Sequence, residues 1–148
     1  MVMNTKTQTI AITVSAIIDA PVKKVWKCWT DTKHIIHWNN ASPDWHTPRA
    51  ENDLRAGGKF LSRMEARDGS IGFDFSGKYT KVEQQKLIEL TLDDDRKVQL
   101  RFDANGNKTT VTEVFEAEHE NTVELQQTGW QAILDNFKKY VEASENEK

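Results

Sequence analysis

Glu113 stands in the run Thr110-Val111-Thr112-Glu113-Val114-Phe115-Glu116, where apolar and polar residues alternate. Residues two apart in a strand share a face, so Val111, Glu113 and Phe115 point one way and Thr112, Val114 and Glu116 the other. Either face can be the buried one. The first choice commits a carboxyl to the interior, and the second leaves Glu113 in solvent with Val114 inside. A buried Glu113 would titrate above its ordinary range and could act as a general base or accept a hydrogen bond from a ligand. Tyr79 offers a phenolic proton as well as an aromatic wall, and His46 offers an imidazole. These three are the side chains with a case for moving protons, and they do not amount to an assigned catalytic set.

Other polar clusters have ordinary explanations. His34 and His37 are three residues apart on a short helical stretch, but no carboxylate completes a motif such as H-E-x-x-H, so no metal is expected. Asp93-Asp94-Asp95 reads as a hairpin tip. Asp103 to Asn107 has the letters of a calcium loop without the glutamate that closes one. Asp44, His46 and Arg49 could form a polar mouth that orients a ligand's carboxylate or phenol. Cys28, between Trp26 and Trp29, reads as a small core filler. There is no nucleophile elbow, P-loop or dinucleotide fingerprint, since Gly57-Gly58 belongs to a turn, and no cofactor is implied.

The elements that must position these residues follow from periodicity. Thr9 to Ile18 alternates, with Ile10, Ile12, Val14, Ala16 and Ile18 on one side. Asp19-Ala20-Pro21 then opens a helix carrying Val22, Val25, Trp26 and Trp29, and Thr30 or Asp31 caps a second one ending near Trp38. Strands are expected at Trp45 to Glu51, Lys59 to Arg67, Ile71 to Val82, Leu87 to Leu92, Lys97 to Phe102 and Thr109 to Ala117, joined by turns such as Asp68-Gly69 and Asn105-Gly106. From Asn121 the period becomes helical. Gln126, Trp130, Ile133, Leu134, Phe137 and Val141 recur over about five turns, and Glu142 to Lys148 reads as a frayed tail. The order predicts an α+β fold, an antiparallel sheet with helices on one side.

Composition narrows the function. The 148 residues carry 20 Lys+Arg against 23 Asp+Glu, a net charge of -3 that provides no basic field for nucleic acid. One cysteine excludes an internal disulfide. A polar N-terminus and the lack of any run of about 18 apolar residues predict a cytoplasmic protein without membrane insertion. With 5 Trp and 6 Phe, much of the core must be aromatic, or the aromatics line something. The candidates for lining are Trp38, Phe60 and Met64, then Phe73, Phe75 and Tyr79, then Trp130, Ile133 and Leu134 under the long helix, with Glu113 among them. Each of these alone could simply fill the core. Gly77 and Gly129 remove side chains where these rings crowd, and Gly129, inside a helix, costs about 1 kcal/mol against alanine. Room for a strand or for a ligand would explain it equally.

The segments IDAPVKKVWKCWTD, HIIHW, DLRAGGKF, FSGKYTKVEQQKLIELTLDD, VTEVF and GWQAILDNFKKYVE, in this order, resemble the START-like (SRPBCC) superfamily. Within it they are most similar to the branch homologous to the C-terminal domain of the activator of the heat-shock protein 90 ATPase. The resemblance implies a single START-like domain over residues 1–148, with a core of about residues 9–143. It implies the helix-grip fold, a curved antiparallel sheet wrapped around a long C-terminal helix, with two short helices after the first strand and a hydrophobic pocket between sheet and helix. The expected function is binding of a small hydrophobic molecule, lipid-like or flat and aromatic. The alternatives are a co-chaperone-like regulator with a chaperone partner, and a cyclase- or dehydratase-type enzyme on an apolar substrate. Exposed sheet edges leave a monomer or a weak homodimer open.

Overall fold

A twelve-residue strand with short turns on either side organises the sheet. In the computed structural model, which describes residues 9–144, this strand is β4 (Gly72–Glu83), flanked by β3 (Lys59–Ala66) and β5 (Leu87–Leu92). With β2 (Trp45–Asn52), β6 (Lys97–Asn105) and β7 (Lys108–Glu116) they form an antiparallel meander, and β1 (Ala11–Ile18) pairs with β7 to complete a seven-stranded sheet in the order β1-β7-β6-β5-β4-β3-β2. Two hairpin tips depend on a left-handed glycine, Gly69 at φ 78° and Gly106 at φ 62°, as the Asp-Gly and Asn-Gly pairs lead one to expect.

Helices α1 (Val22–Thr30) and α2 (Thr32–Trp38) follow β1, and α3 (Val123–Ala143) closes the chain. Asp31 caps α2 by accepting from the Lys33 amide. Pro21 precedes α1 with no side-chain cap; the amide of Asp19 instead donates to Glu142 at the far end of α3. That bond holds Glu142 in the helix, so the frayed tail does not begin there; the rest of the expected fraying, at 1–8 and 145–148, lies outside the described residues. Thr122 caps α3, its hydroxyl accepting the Leu125 amide at 3.1 Å, while the Asn121 amide donates to Glu118 just before it.

The core lies under the C-terminal half of α3. Leu134, Phe137 and Val141 are fully buried with Val25, Ile18 and Val111. Around Phe137 the rings of Trp29 and Trp38 meet it edge-on at 4.8 and 4.7 Å, which seals this end with aromatic contacts. Both sheet edges are engaged. Along β1, Gln127, Gln131 and Lys138 of α3 donate to the carbonyls of Thr13, Ser15 and Ile17, which removes the acceptors another strand would use. Along β2, Asn52 and Thr47 donate to carbonyls of Thr30 and Asn39, and Pro48 stands where the register shifts. No helix among the described residues is long and apolar enough to cross a membrane.

Candidate functional site

Between the sheet and the N-terminal half of α3 lies a cavity of about 370 Å³. The register explains its walls. Across β3 and β4 the pairs Phe60↔Gly77, Ser62↔Phe75 and Met64↔Phe73 place the inward residues of both strands side by side. Gly77 is needed for this packing: a Cβ there would stand 2.4 Å from the Thr91 carbonyl oxygen and 3.0 Å from the Phe60 ring. Phe60 then touches Phe75 and Tyr79 at 5.9 and 5.4 Å between centroids, and Phe75 meets Trp130 of α3 edge-on at 6.0 Å. The floor is Leu90, Val98 and Leu100, and Trp29, Ile35 and Trp38 close the far end.

Of the side chains singled out in the sequence, Trp38, Phe60, Met64, Phe73, Phe75, Tyr79, Glu113, Trp130 and Ile133 border this cavity. Leu134 does not. One residue beyond Ile133 turns a side chain by about 100° around the helix, and Leu134 is fully buried in the core instead. Phe73 borders the cavity from an outlying position, 49% exposed and beside the Trp45 ring. Gly129 also borders the cavity. A Cβ there would meet nothing within 4 Å, so no strand explains this glycine.

Glu113 faces inward. It is paired with Val14 on one side and Leu100 on the other, both inward residues, and side chains directly opposite one another in a sheet share a face. It is 5% exposed, and burial pushes its pKa up to about 8 from 4.5. Among the described residues no donor reaches its carboxyl, yet no buried side-chain oxygen is sealed off without a partner, so its oxygens open into the cavity.

Other polar lining groups have partners of their own, several of them outside the lining. Tyr79 donates to Asn52 Oδ1 at 2.5 Å, Asn52 Nδ2 donates to the Thr30 carbonyl, and burial holds the phenol above its ordinary pKa. Asn39 donates to Ser62 at 3.1 Å. Arg96 donates through Nε to Asp94 at 2.7 Å and through a terminal nitrogen to the Glu116 carbonyl at 3.3 Å.

His46 is not brought to the cavity. It pairs with Glu65, whose side chain points away from the inward Met64, and its Nε2 stands 4.0 Å from the Glu65 carboxylate. Asp44 and Arg49 are exposed outside the cavity as well, and Arg49 is bonded to Glu51, so the expected polar mouth does not form from these three. His34 Nδ1 lies 2.6 Å from the Tyr140 hydroxyl and His37 stacks on the same ring. Among the described residues no group of three or more His, Cys, Asp or Glu is placed to hold a metal ion.

A profile described as "Activator of Hsp90 ATPase homolog 1-like protein" matches residues 19–142. The chain belongs to this family. Among solved structures, the AHSA1-like protein of Aeromonas hydrophila is 41% identical over 94% of this chain and 100% of its own, with a TM-score of 0.84. A protein of Cytophaga hutchinsonii is 47% identical over 93% of this chain and 98% of its own, with a TM-score of 0.77. A Chromobacterium violaceum protein at 20% identity, covering 91% of this chain and 99% of its own with a TM-score of 0.80, shares the fold. None of the curated proteins matches.

The AHSA1-like, helix-grip architecture is that of a ligand-binding domain at the level of the family. What the sequence reading missed in this AHSA1-like chain is the aliphatic floor. Leu90, Val98 and Leu100 stand on the inward face of plainly alternating strands, a usable signal that attention to aromatics passed over. Asn39 and Asn52 carried no such signal, because both sit at element ends where the period stops.

Proposed function

We propose that this domain holds a small hydrophobic molecule, lipid-like or flat and aromatic, between its sheet and α3. The observation that carries the reading is the cavity itself: about 370 Å³, within the range of small-molecule sites, walled by Trp38, Phe60, Phe75 and Trp130 over an aliphatic floor, with a lining surface that is predominantly apolar. Rings of this kind give an apolar guest large contact area at low conformational cost. The family's name also suggests regulation of the Hsp90 ATPase; that reading draws on the name, whereas ligand binding draws on the cavity. An enzyme that moves protons would need converging groups, and His46 is turned away while the Tyr79 proton is given to Asn52.

The test is a fluorescence titration with N-phenyl-1-naphthylamine, an uncharged probe that brightens in apolar surroundings. The expected result is saturable one-to-one enhancement, weakened at least ~10-fold by Gly129→Leu, which places a side chain in open space at the cavity wall. A linear, non-saturating response, or one that Gly129→Leu leaves unchanged, contradicts the reading.

A further inference from the structure

Resting on the reading of the cavity as a ligand site, we infer that its ligand is an uncharged molecule, apolar over most of its surface, that carries a hydrogen-bond-accepting oxygen such as a ketone carbonyl, and that Glu113 is the side chain that receives it.

A site built to hold a carboxylate anion supplies donors to its oxygens, because a buried charge without them is poorly compensated. Among the described residues none donates to Glu113: Tyr79 donates to Asn52, Asn52 to the Thr30 carbonyl, Asn39 to Ser62, and Arg96 to Asp94 and the Glu116 carbonyl. The side chains directly opposite it, Val14 and Leu100, are aliphatic. The stable form of Glu113 in this setting is the neutral acid, in keeping with the rise of its pKa to about 8.

A neutral carboxylic acid has one O–H to donate, and the described residues give it no acceptor. A guest that brings an acceptor oxygen pairs that proton. A pure hydrocarbon leaves it unpaired, and this asymmetry is what allows a polar site to discriminate strongly between otherwise similar guests.

Charge points the same way. Among the described residues, the charged groups that line the cavity besides Glu113 are Glu51, Glu118 and Arg96, and Arg96 is held by Asp94 and the Glu116 carbonyl. An anionic guest would face two carboxylates and an arginine already paired. A cationic guest would require Glu113 to ionise with no donor to support it. Tyr79 is the remaining titratable lining group, and the lining residues of α3, which are Leu125, Gln126, Gly129, Trp130 and Ile133, carry none.

The experiment is isothermal titration calorimetry of the full chain with 2-acetylnaphthalene, 2-ethylnaphthalene, 2-naphthylmethylamine and 2-naphthoate, which share a ring system and differ in the polar group. At about pH 6 the ketone is expected to bind about tenfold more tightly than the ethyl compound, and more tightly than the amine or the carboxylate. Glu113→Leu abolishes the preference, whereas Glu113→Gln, whose amide still donates, keeps it. Raising the solution to about pH 9.5 weakens ketone binding to the unsubstituted protein and leaves Glu113→Gln unchanged. Equal binding of ketone and ethyl compound overturns the role of Glu113 while the cavity reading stands. Tightest binding of the amine, strengthening with pH, also overturns it and makes Glu113 the anchor of a cation. Failure of all four to bind overturns the cavity reading and this inference together.

Discussion

The indole of Trp130 on α3 lies flat against the ring of Phe115 on β7, centroids 3.8 Å apart and planes 9° from parallel. Phe115 is buried and shares its face of β7 with Glu113, whereas Trp130 borders the cavity. The stack therefore joins helix to sheet at the place where the two otherwise separate, and it sets the width of the gap into which Glu113 opens.

Truncation of that stack has a defined cost. Trp130→Ala is expected to lower stability by about 2–3 kcal/mol, combining lost burial of a half-buried indole with a stacking contribution of about 1 kcal/mol. Urea unfolding followed by circular dichroism measures it. A loss under about 0.5 kcal/mol would mean that the stack does not hold α3 in place.

The two glycines of the site should respond with opposite signs. Gly129→Ala meets nothing within 4 Å and should raise helix stability by about 1 kcal/mol while weakening ligand binding, since the methyl enters space at the cavity wall. Gly77→Ala drives a Cβ to within 2.4 Å of the Thr91 carbonyl oxygen and should destabilise by about 2 kcal/mol. Thermal unfolding of both variants, with binding measured on the first, checks the pair; a stabilised Gly77→Ala would contradict the β4–β5 approach described here.

Glu113 makes stability fall as pH rises. Its carboxyl has a pKa near 8 in the folded chain against an ordinary 4.5, so the folded state holds the extra proton between those values. The contribution of Glu113 is therefore full below about pH 4.5, declines above it and levels off past about pH 8. At ~1.4 kcal/mol for each pH unit the total reaches about 5 kcal/mol. Glu113→Gln removes the titrating group, and its advantage over the unsubstituted protein should grow from near nothing at about pH 4.5 to several kcal/mol at about pH 9. Denaturant titrations at a series of pH values test this, and a difference that does not change with pH refutes it.

The sheet edge yields a further outcome. Gln127 and Gln131 occupy the carbonyls of Thr13 and Ser15, so the double substitution Gln127→Ala, Gln131→Ala uncovers them. Sedimentation velocity should then show concentration-dependent self-association that the unsubstituted chain shows at least ~10-fold more weakly. Identical behaviour of the two proteins would mean that these amides do not protect the edge.

The element order and most of the cavity wall were legible because alternation and helical spacing are strong wherever one face is buried. Val14 between Thr13 and Ser15 announces its own face, and Phe75 and Tyr79 announce theirs. Glu113 was not legible alone, since a strand with glutamates on both faces, Glu113 and Glu116, offers two consistent burials. Its orientation came from long-range pairing with Val14 and Leu100, which no local pattern encodes. Leu134 was misplaced because adjacent apolar residues on a helix look alike in sequence, while packing distinguishes the one above the cavity from the one above the core. His46 was not legible for the related reason that the β2–β3 register shifts between His46 and Arg49, so the face of a residue before the shift does not follow from those after it.

The most direct test of the central claim, that the space under α3 is a ligand site, is an amide-resolved NMR titration of the full chain with fatty acids, sterols and flat polyphenols. Saturable shifts concentrated at Phe75, Gly129 and Trp130, which border the cavity from its two sides, are expected. A well-folded spectrum that stays unshifted, or shifts confined to exposed apolar positions outside the cavity lining such as Ile10 and Ile17, would contradict it.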